Sequence, residues 1–301
     1  MPNESQAYWN GQWIPSRDIA ISPDDLGFTM GISLVEKLRT MGGQLYHTDR
    51  HLTRLRGSLE IAYLDSKRLG AEVESALDEF IDRNRALIEP GDDWSVGVFV
   101  TPGDSLSATN PTVCVYGLPI PFQNWATQFE HGLDAVIVSV RELPANVWPL
   151  ELKCRSRMHY YLADQEARSQ HPEARAILLD QDGYICQGST ANVVAYFEGR
   201  GLVTPKRTKV LPGVTQGVLY EIADSLGIKH SEADMLPKEF AAADELYFSS
   251  TSSCLLPMGR LDGQAVGDGS PGPLFQQLMA AWSKLVGVDI IQQALRFGSL
   301  R

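Results

Sequence analysis

Four short stretches carry residue types that could do chemistry as well as build a scaffold. Lys153, in PLELKCRSRMHYYLA, stands where a strand-like approach meets the start of a helix. Such a lysine is either a solvated cap residue or, where desolvation lowers its pKa, an amine that condenses with a carbonyl. In LPGVTQGV, residues 211–218, Pro212 and Gly213 turn the chain and Val214 and Thr215 begin a helix. The free N–H groups and positive dipole end of a helix start receive anions such as phosphate, although an ordinary helix start reads the same way. The run SSTSS, residues 249–253, puts five hydroxyls directly after the strand-like LYF, as anion donors or as plain loop. In HLTRL, Arg54 lies among apolar residues, and its guanidinium fork suits a phosphate or a carboxylate.

The elements that must position these groups alternate between strand and helix. AYWNGQWI, residues 7–14, reads as two short strands around an Asn-Gly turn, and Gly42-Gly43 is a second turn. Thr48-Asp49 reads as the cap of an amphipathic helix whose apolar positions are His51, Leu52, Leu55, Leu59, Ala62 and Tyr63. A helix over 71–87 and strands over 96–102 and 112–118 complete a first domain, 1–120. The stiff PIPFQ then predicts a linker over 121–128. The second domain, 129–301, has strands over 136–140, 176–179, 193–196, 202–204 and 246–248. Its helices fall at 158–169, 214–226 and 272–286. The fold class is α/β (α+β) with two domains and mixed sheets.

Composition narrows the function. The chain has 301 residues, 44% hydrophobic and 21% charged, which describes an ordinary globule rather than low-complexity disorder. Lys plus Arg is 26 against 37 acids, a net charge of −11, and that argues against a nucleic-acid partner. No apolar run approaches the ~20 residues of a membrane span, and no basic-then-apolar leader opens the sequence. Cys114, Cys154, Cys186 and Cys254 match no metal ribbon or disulfide framework, so the expectation is free thiols in the cytoplasm. His47 and His51, four apart with a helix cap between them, read as no metal site, and no metal is expected. No GxGxxG leads directly from one of these strands into a helix, and no GxxxxGK[ST] occurs, so the nucleotide folds lack support.

In this order, over nearly the whole chain, these blocks resemble the class IV aminotransferases, the pyridoxal-phosphate enzymes of fold type IV. That group holds branched-chain and D-amino-acid aminotransferases and aminodeoxychorismate lyase. The resemblance runs from the Asn-Gly hairpin through DLGF (25–28), GGQLYHTDRHLTRL and Lys153. It continues through ILLDQDGYICQGSTANVV, LVTPKRTKVLPGVTQGVL, DELYFSSTSSCLLPM and PGPLFQQLMAAW. The resemblance implies a cofactor, pyridoxal 5'-phosphate, at the junction of two domains. Lys153 would carry it and shuttle a proton to and from the substrate α-carbon. Arg54, the backbone N–H groups of Val214 and Thr215, and the hydroxyls of Thr215 and Thr251 would take its phosphate. Ser250 and Ser252 flank Thr251 as further contacts. The family also implies a homodimer.

Four positions depart from the family pattern. Where it places a glutamate on the pyridine nitrogen, GYICQG has Gln187, an amide that cannot stabilise a pyridinium as a carboxylate does. The expectation is an amide N–H donated to a neutral ring, hence a weaker electron sink. Val35 and Pro102 stand where the D-amino-acid enzymes carry a tyrosine and a substrate-binding arginine. Met158 replaces a tyrosine of the branched-chain enzymes, while Arg157, four after Lys153 and on one helix face with it, is similar to some lyases. The expected function is a transaminase moving an amino group between an amino acid, branched-chain or otherwise aliphatic, and a 2-oxo acid. The alternatives are an aminodeoxychorismate-lyase-like enzyme and a cofactor binder with weak catalysis.

Overall fold

Asn10 and Gly11 adopt φ of 48° and 85°, the pair of positive values that a tight hairpin turn requires. They join β1 (Gln6–Trp9) to β2 (Gln12–Pro15). The structure, a computed structural model, describes residues 4–300. It divides into two units: the chain up to Ile120 with Glu151–Ser156, and Pro121–Leu150 with Arg157 onward.

The first unit adds β3 (Leu34–Met41), β4 (Gln44–Leu45), β5 (Trp94–Thr101) and β6 (Thr112–Pro119) in an antiparallel sheet of order β2-β1-β6-β5-β3-β4. Its helices are α1 (Leu26–Thr29), α2 (Thr48–Ile61) and α3 (Ser66–Asn84). Leu52 and Leu55 of α2 and Val73 and Phe80 of α3 pack on Leu34 and Leu38 of β3 and Val96 and Val98 of β5. Helix α2 starts one residue earlier than expected, from His47 in the left-handed region at φ 52°. Tyr63, expected on the buried face, lies beyond the helix end at φ 56° and is 96% exposed. Helix α3 begins at Ser66 because the Asp65 carboxylate caps it, accepting from the Arg68 N–H at 2.9 Å. The DLGF block has a structural explanation. Asp25 caps α1 through the Gly27 N–H and accepts the hydroxyls of Thr101 and Thr112, tying the helix to the ends of β5 and β6.

Glu151–Ser156 runs beside β3. The Val35 N–H donates to the Lys153 carbonyl at 3.0 Å, and the Arg155 N–H to the Ser33 carbonyl at 2.9 Å. Cys154 bridges Leu34 between them.

The second unit holds β7 (Leu133–Arg141), β8 (Arg175–Leu179), β9 (Ile185–Gly188), β10 (Asn192–Phe197), β11 (Gly201–Thr204), β12 (His230–Glu232), β13 (Glu245–Ser250), β14 (Cys254–Leu261) and β15 (Gln264–Ala265). Its helices are α4 (Gln128–His131), α5 (Met158–Gln170), α6 (Val214–Ser225), α7 (Pro237–Ala241), α8 (Pro273–Val286) and α9 (Ile290–Gly298). The sheet order is β12-β11-β10-β13-β14-β7-β8-β9, and a further β9–β10 pairing closes the last six into a ring. Strands β7–β8, β7–β14 and β11–β12 are parallel, so the sheet is mixed. Helix α5 lays Ala163 and Ala167 on Val136, Val138 and Ala176. The segment expected as a linker belongs to this unit, with Phe122, Trp125 and Ala126 buried. Among the described residues no helix is long and apolar enough to cross a membrane.

Candidate active site

In the first unit, strand alternation puts Leu34, Glu36 and Leu38 on the face that α2 covers, so a carboxylate is buried among leucines. It survives there because it is paired. Arg54 Nε donates to Glu36 Oε1 and Arg54 Nη2 to Glu36 Oε2, both at 2.7 Å, and His51 Nδ1 lies 2.8 Å from Oε2. Burial works to raise the Glu36 pKa, but the Arg54 charge and the bonds from Arg54 and His51 outweigh it and hold the carboxyl at about 2. The His51 pKa is lowered, first by burial and then by the charges of Arg54 and Lys153, against the pull of Glu36. A neutral His51 therefore donates its Nδ1–H to the carboxylate.

Lys153 belongs to this neighbourhood. Its backbone N–H donates to Ser58 Oγ of α2 at 3.2 Å, and its charge is felt by His51, one helical turn before Arg54. The expected helical spacing between Lys153 and Arg157 is corrected. Helix α5 begins only at Met158, with Arg157 as its N-cap, so Lys153 lies in the extended strip instead. Val35 is buried against Phe99 and Cys114.

In the second unit, the register aligns Gln187 of β9, Asn192 of β10 and Ser249 of β13 in one row. Gln187 and Asn192 hold Leu211, just ahead of α6, by both backbone groups. The Leu211 N–H donates to Gln187 Oε1 at 3.1 Å, and Asn192 Nδ2 donates to the Leu211 carbonyl at 2.9 Å. A Cβ on Gly213 would come 2.1 Å from Asn192 Oδ1, so a side chain here would displace the amide that holds Leu211. Helix α6 then starts at Val214 with no side-chain cap, leaving its first N–H groups to an outside acceptor. Thr215 is buried on that first turn.

Helix α6 packs on β13, and Thr251, Ser252 and Ser253 form the turn from β13 into β14. Ser250 Oγ and Ser253 Oγ lie 2.9 Å apart, so Ser250 bonds within the turn. Ser249 Oγ is buried with no hydrogen-bond partner among the described residues. An uncapped helix start, a buried threonine and a hydroxyl-rich turn are a donor set that fits a phosphate.

Gln187 differs from its expected behaviour. Its Nε2 lies 2.8 Å from Glu142 Oε2 and 2.9 Å from the Tyr160 hydroxyl, so both N–H groups already have partners. Glu142, 3% exposed, also receives the Tyr160 hydroxyl at 2.9 Å, the Leu143 N–H at 3.0 Å and a contact from His159 Nε2 at 3.2 Å. Burial alone would raise the Glu142 pKa; His159, Gln187, Leu143 and Tyr160 outweigh it and lower it. Arg157 Nη2 donates to the Ser189 carbonyl, and its guanidinium covers the Tyr160 ring at 5.2 Å. Sequence reading missed Glu36 and Glu142. The signal for Glu36 was an acid in a strand with a leucine two residues away on either side, Leu34 and Leu38; Glu142, directly after a strand in VSVREL, offered none.

A family model described as "Amino-transferase class IV" matches residues 33–261. D-alanine aminotransferase of Bacillus licheniformis is 26% identical over 280 residues, covering 91% of this chain and 94% of that protein. The branched-chain-amino-acid aminotransferase of Escherichia coli K12 is 26% identical over 287 residues, 91% of each chain. In fold, the chain is similar to a T.th. branched-chain amino acid aminotransferase solved with pyridoxamine 5'-phosphate, with a TM-score of 0.84 at 20% identity. That match covers 94% of this chain and 95% of the other. The chain belongs to the class IV aminotransferases, the pyridoxal-phosphate-dependent transaminases of fold type IV.

Proposed function

We propose that this protein moves an amino group between an aliphatic amino acid of the branched-chain class and a 2-oxo acid. Pyridoxal phosphate, when bound, supplies the electron sink for that exchange. The placement of Lys153 carries the reading. Its segment is tied to β3 by backbone bonds and to α2 through the Ser58 hydroxyl, so its amine is presented from a held strip, close enough for its charge to act on His51. In this reading Lys153 bonds the cofactor and carries the proton to and from the substrate α-carbon.

Arg54, oriented by Glu36, takes the phosphate together with the Val214 and Thr215 N–H groups and the hydroxyls of Thr215 and Thr251. Gln187 meets the ring nitrogen. Ser250 and Ser252 support the Thr251 turn. The family resemblance supports a homodimer, and the free cysteines support a cytoplasmic location. A lyase reading gains nothing from Arg157, whose guanidinium is engaged by Ser189 and Tyr160.

The test is a half-reaction. Adding an aliphatic amino acid alone to the loaded enzyme should convert the cofactor to its amine form and release the 2-oxo acid. Release of pyruvate from aminodeoxychorismate, with no oxo-acid acceptor present, would favour the lyase and overturn this reading.

A further inference from the structure

The orientation of the Gln187 amide is decided by chemistry at both ends. Glu142 accepts hydrogen bonds and, ionised, donates none, so the amide atom 2.8 Å away is the nitrogen. The Leu211 backbone N–H donates and cannot accept, so the atom 3.1 Å from it is the oxygen. The second Nε2 hydrogen goes to Tyr160, whose own proton goes to Glu142. Among the described residues one site on the side chain stays uncommitted, the second lone pair of Oε1. A side chain in that state can meet a ring nitrogen only by accepting from it. Donation from the amide into an ionised carboxylate also polarises the carbonyl and strengthens it as an acceptor.

We propose that Glu142 is a positioning residue that, through the Gln187 amide and with Tyr160, presents Oε1 to the cofactor ring nitrogen and so keeps that nitrogen protonated. The negative charge that residue 187 lacks is thereby held one side chain further back. This rests on the reading above that Gln187 meets the ring. It reverses the expectation of a neutral ring that the amide alone suggests. Glu142 and Gln187 also form a matched pair, because a glutamate at 187 would set two carboxylates against each other.

The experiment is nitrogen NMR of the holoenzyme loaded with ring-nitrogen-labelled pyridoxal phosphate. The parent enzyme should show a protonated ring nitrogen. Glu142→Gln should move the resonance to the neutral range. The exchange variant Glu142→Gln/Gln187→Glu, which keeps one carboxylate and one amide in the pair, should bring it back. A merely structural role for Glu142 would leave the resonance of the loaded protein where it was.

A neutral nitrogen in the parent overturns the proposal, and that measurement stands even if the single variant fails to fold. A resonance that responds to Gln187→Leu but ignores Glu142→Gln also overturns it, while leaving Gln187 on the ring. A resonance indifferent to Gln187→Leu removes Gln187 from the ring and takes the proposal down with the site reading.

Discussion

Arg54 grips Glu36 with two parallel bonds of 2.7 Å, so the arginine expected to bind a phosphate is already one half of a buried ion pair. The pair fixes the guanidinium plane, and α2 and β3 each contribute one partner. Orienting an arginine in this way limits the side-chain entropy lost when an anion arrives.

Arg54→Ala should therefore do two things at once. It should weaken cofactor binding about tenfold or more, since a charge-assisted bond is worth roughly 1.5–3 kcal/mol. It should also destabilise the protein by roughly 3–5 kcal/mol, because Glu36 is left buried without its counter-charge, with only the hydrogen bond from His51. Chemical denaturation of the cofactor-free protein separates the two effects. Glu36→Gln/Arg54→Ala should regain much of the stability and none of the affinity.

The same pair sets an acid limit. Glu36 is held at about 2 against an ordinary 4.5, so the unfolded chain binds the proton more readily. Its contribution, about 3 kcal/mol, is complete above 4.5 and is lost as the pH falls toward 2. His51, lowered from 6.5, acts with the same sign and begins to remove stability as the pH drops below that value. Denaturation midpoints followed with pH should show both losses, and Glu36→Gln should abolish the lower one.

Much of the fold was legible in the sequence. The Asn-Gly hairpin, the apolar faces of α2 and α3, and helices α5, α6 and α8 announced themselves through turn chemistry and periodicity. Strand β14 did not, because it is buried along most of its length and so lacks alternation, and Pro257 within it reads as a break. Strand β9, which carries Gln187, was hidden by its short length and polar content. Candidate site residues were found where a type stood out, as with Lys153 and Arg54. The groups that orient them were not found. Glu36 and Glu142 act across the fold from residues 18 and 45 positions away, and no local pattern records such partners.

Gln187→Glu alone brings two carboxylates to the 2.8 Å contact now made by amide and acid. They must share a proton, which raises the pKa of the pair above the unfolded value. Stability should then fall as the pH rises, more at mildly alkaline than at mildly acidic pH. Thermal midpoints of the variant that track those of the parent across pH would contradict this.

Removing the hydroxyls from the phosphate site should act on affinity and spare the fold. Thr215→Val and Thr251→Val are each expected to weaken cofactor binding by about tenfold, and their combination by more. Equilibrium dialysis against pyridoxal phosphate reads the loss directly.

The central claim is that Lys153 carries the cofactor. Borohydride reduction of the loaded enzyme, followed by peptide mass mapping, tests it most directly. The account predicts the cofactor mass on the peptide containing Lys153, and a Lys153→Ala protein with neither that adduct nor the visible absorption of the bound cofactor. Attachment at any other lysine, or an unchanged absorption in Lys153→Ala, would contradict it.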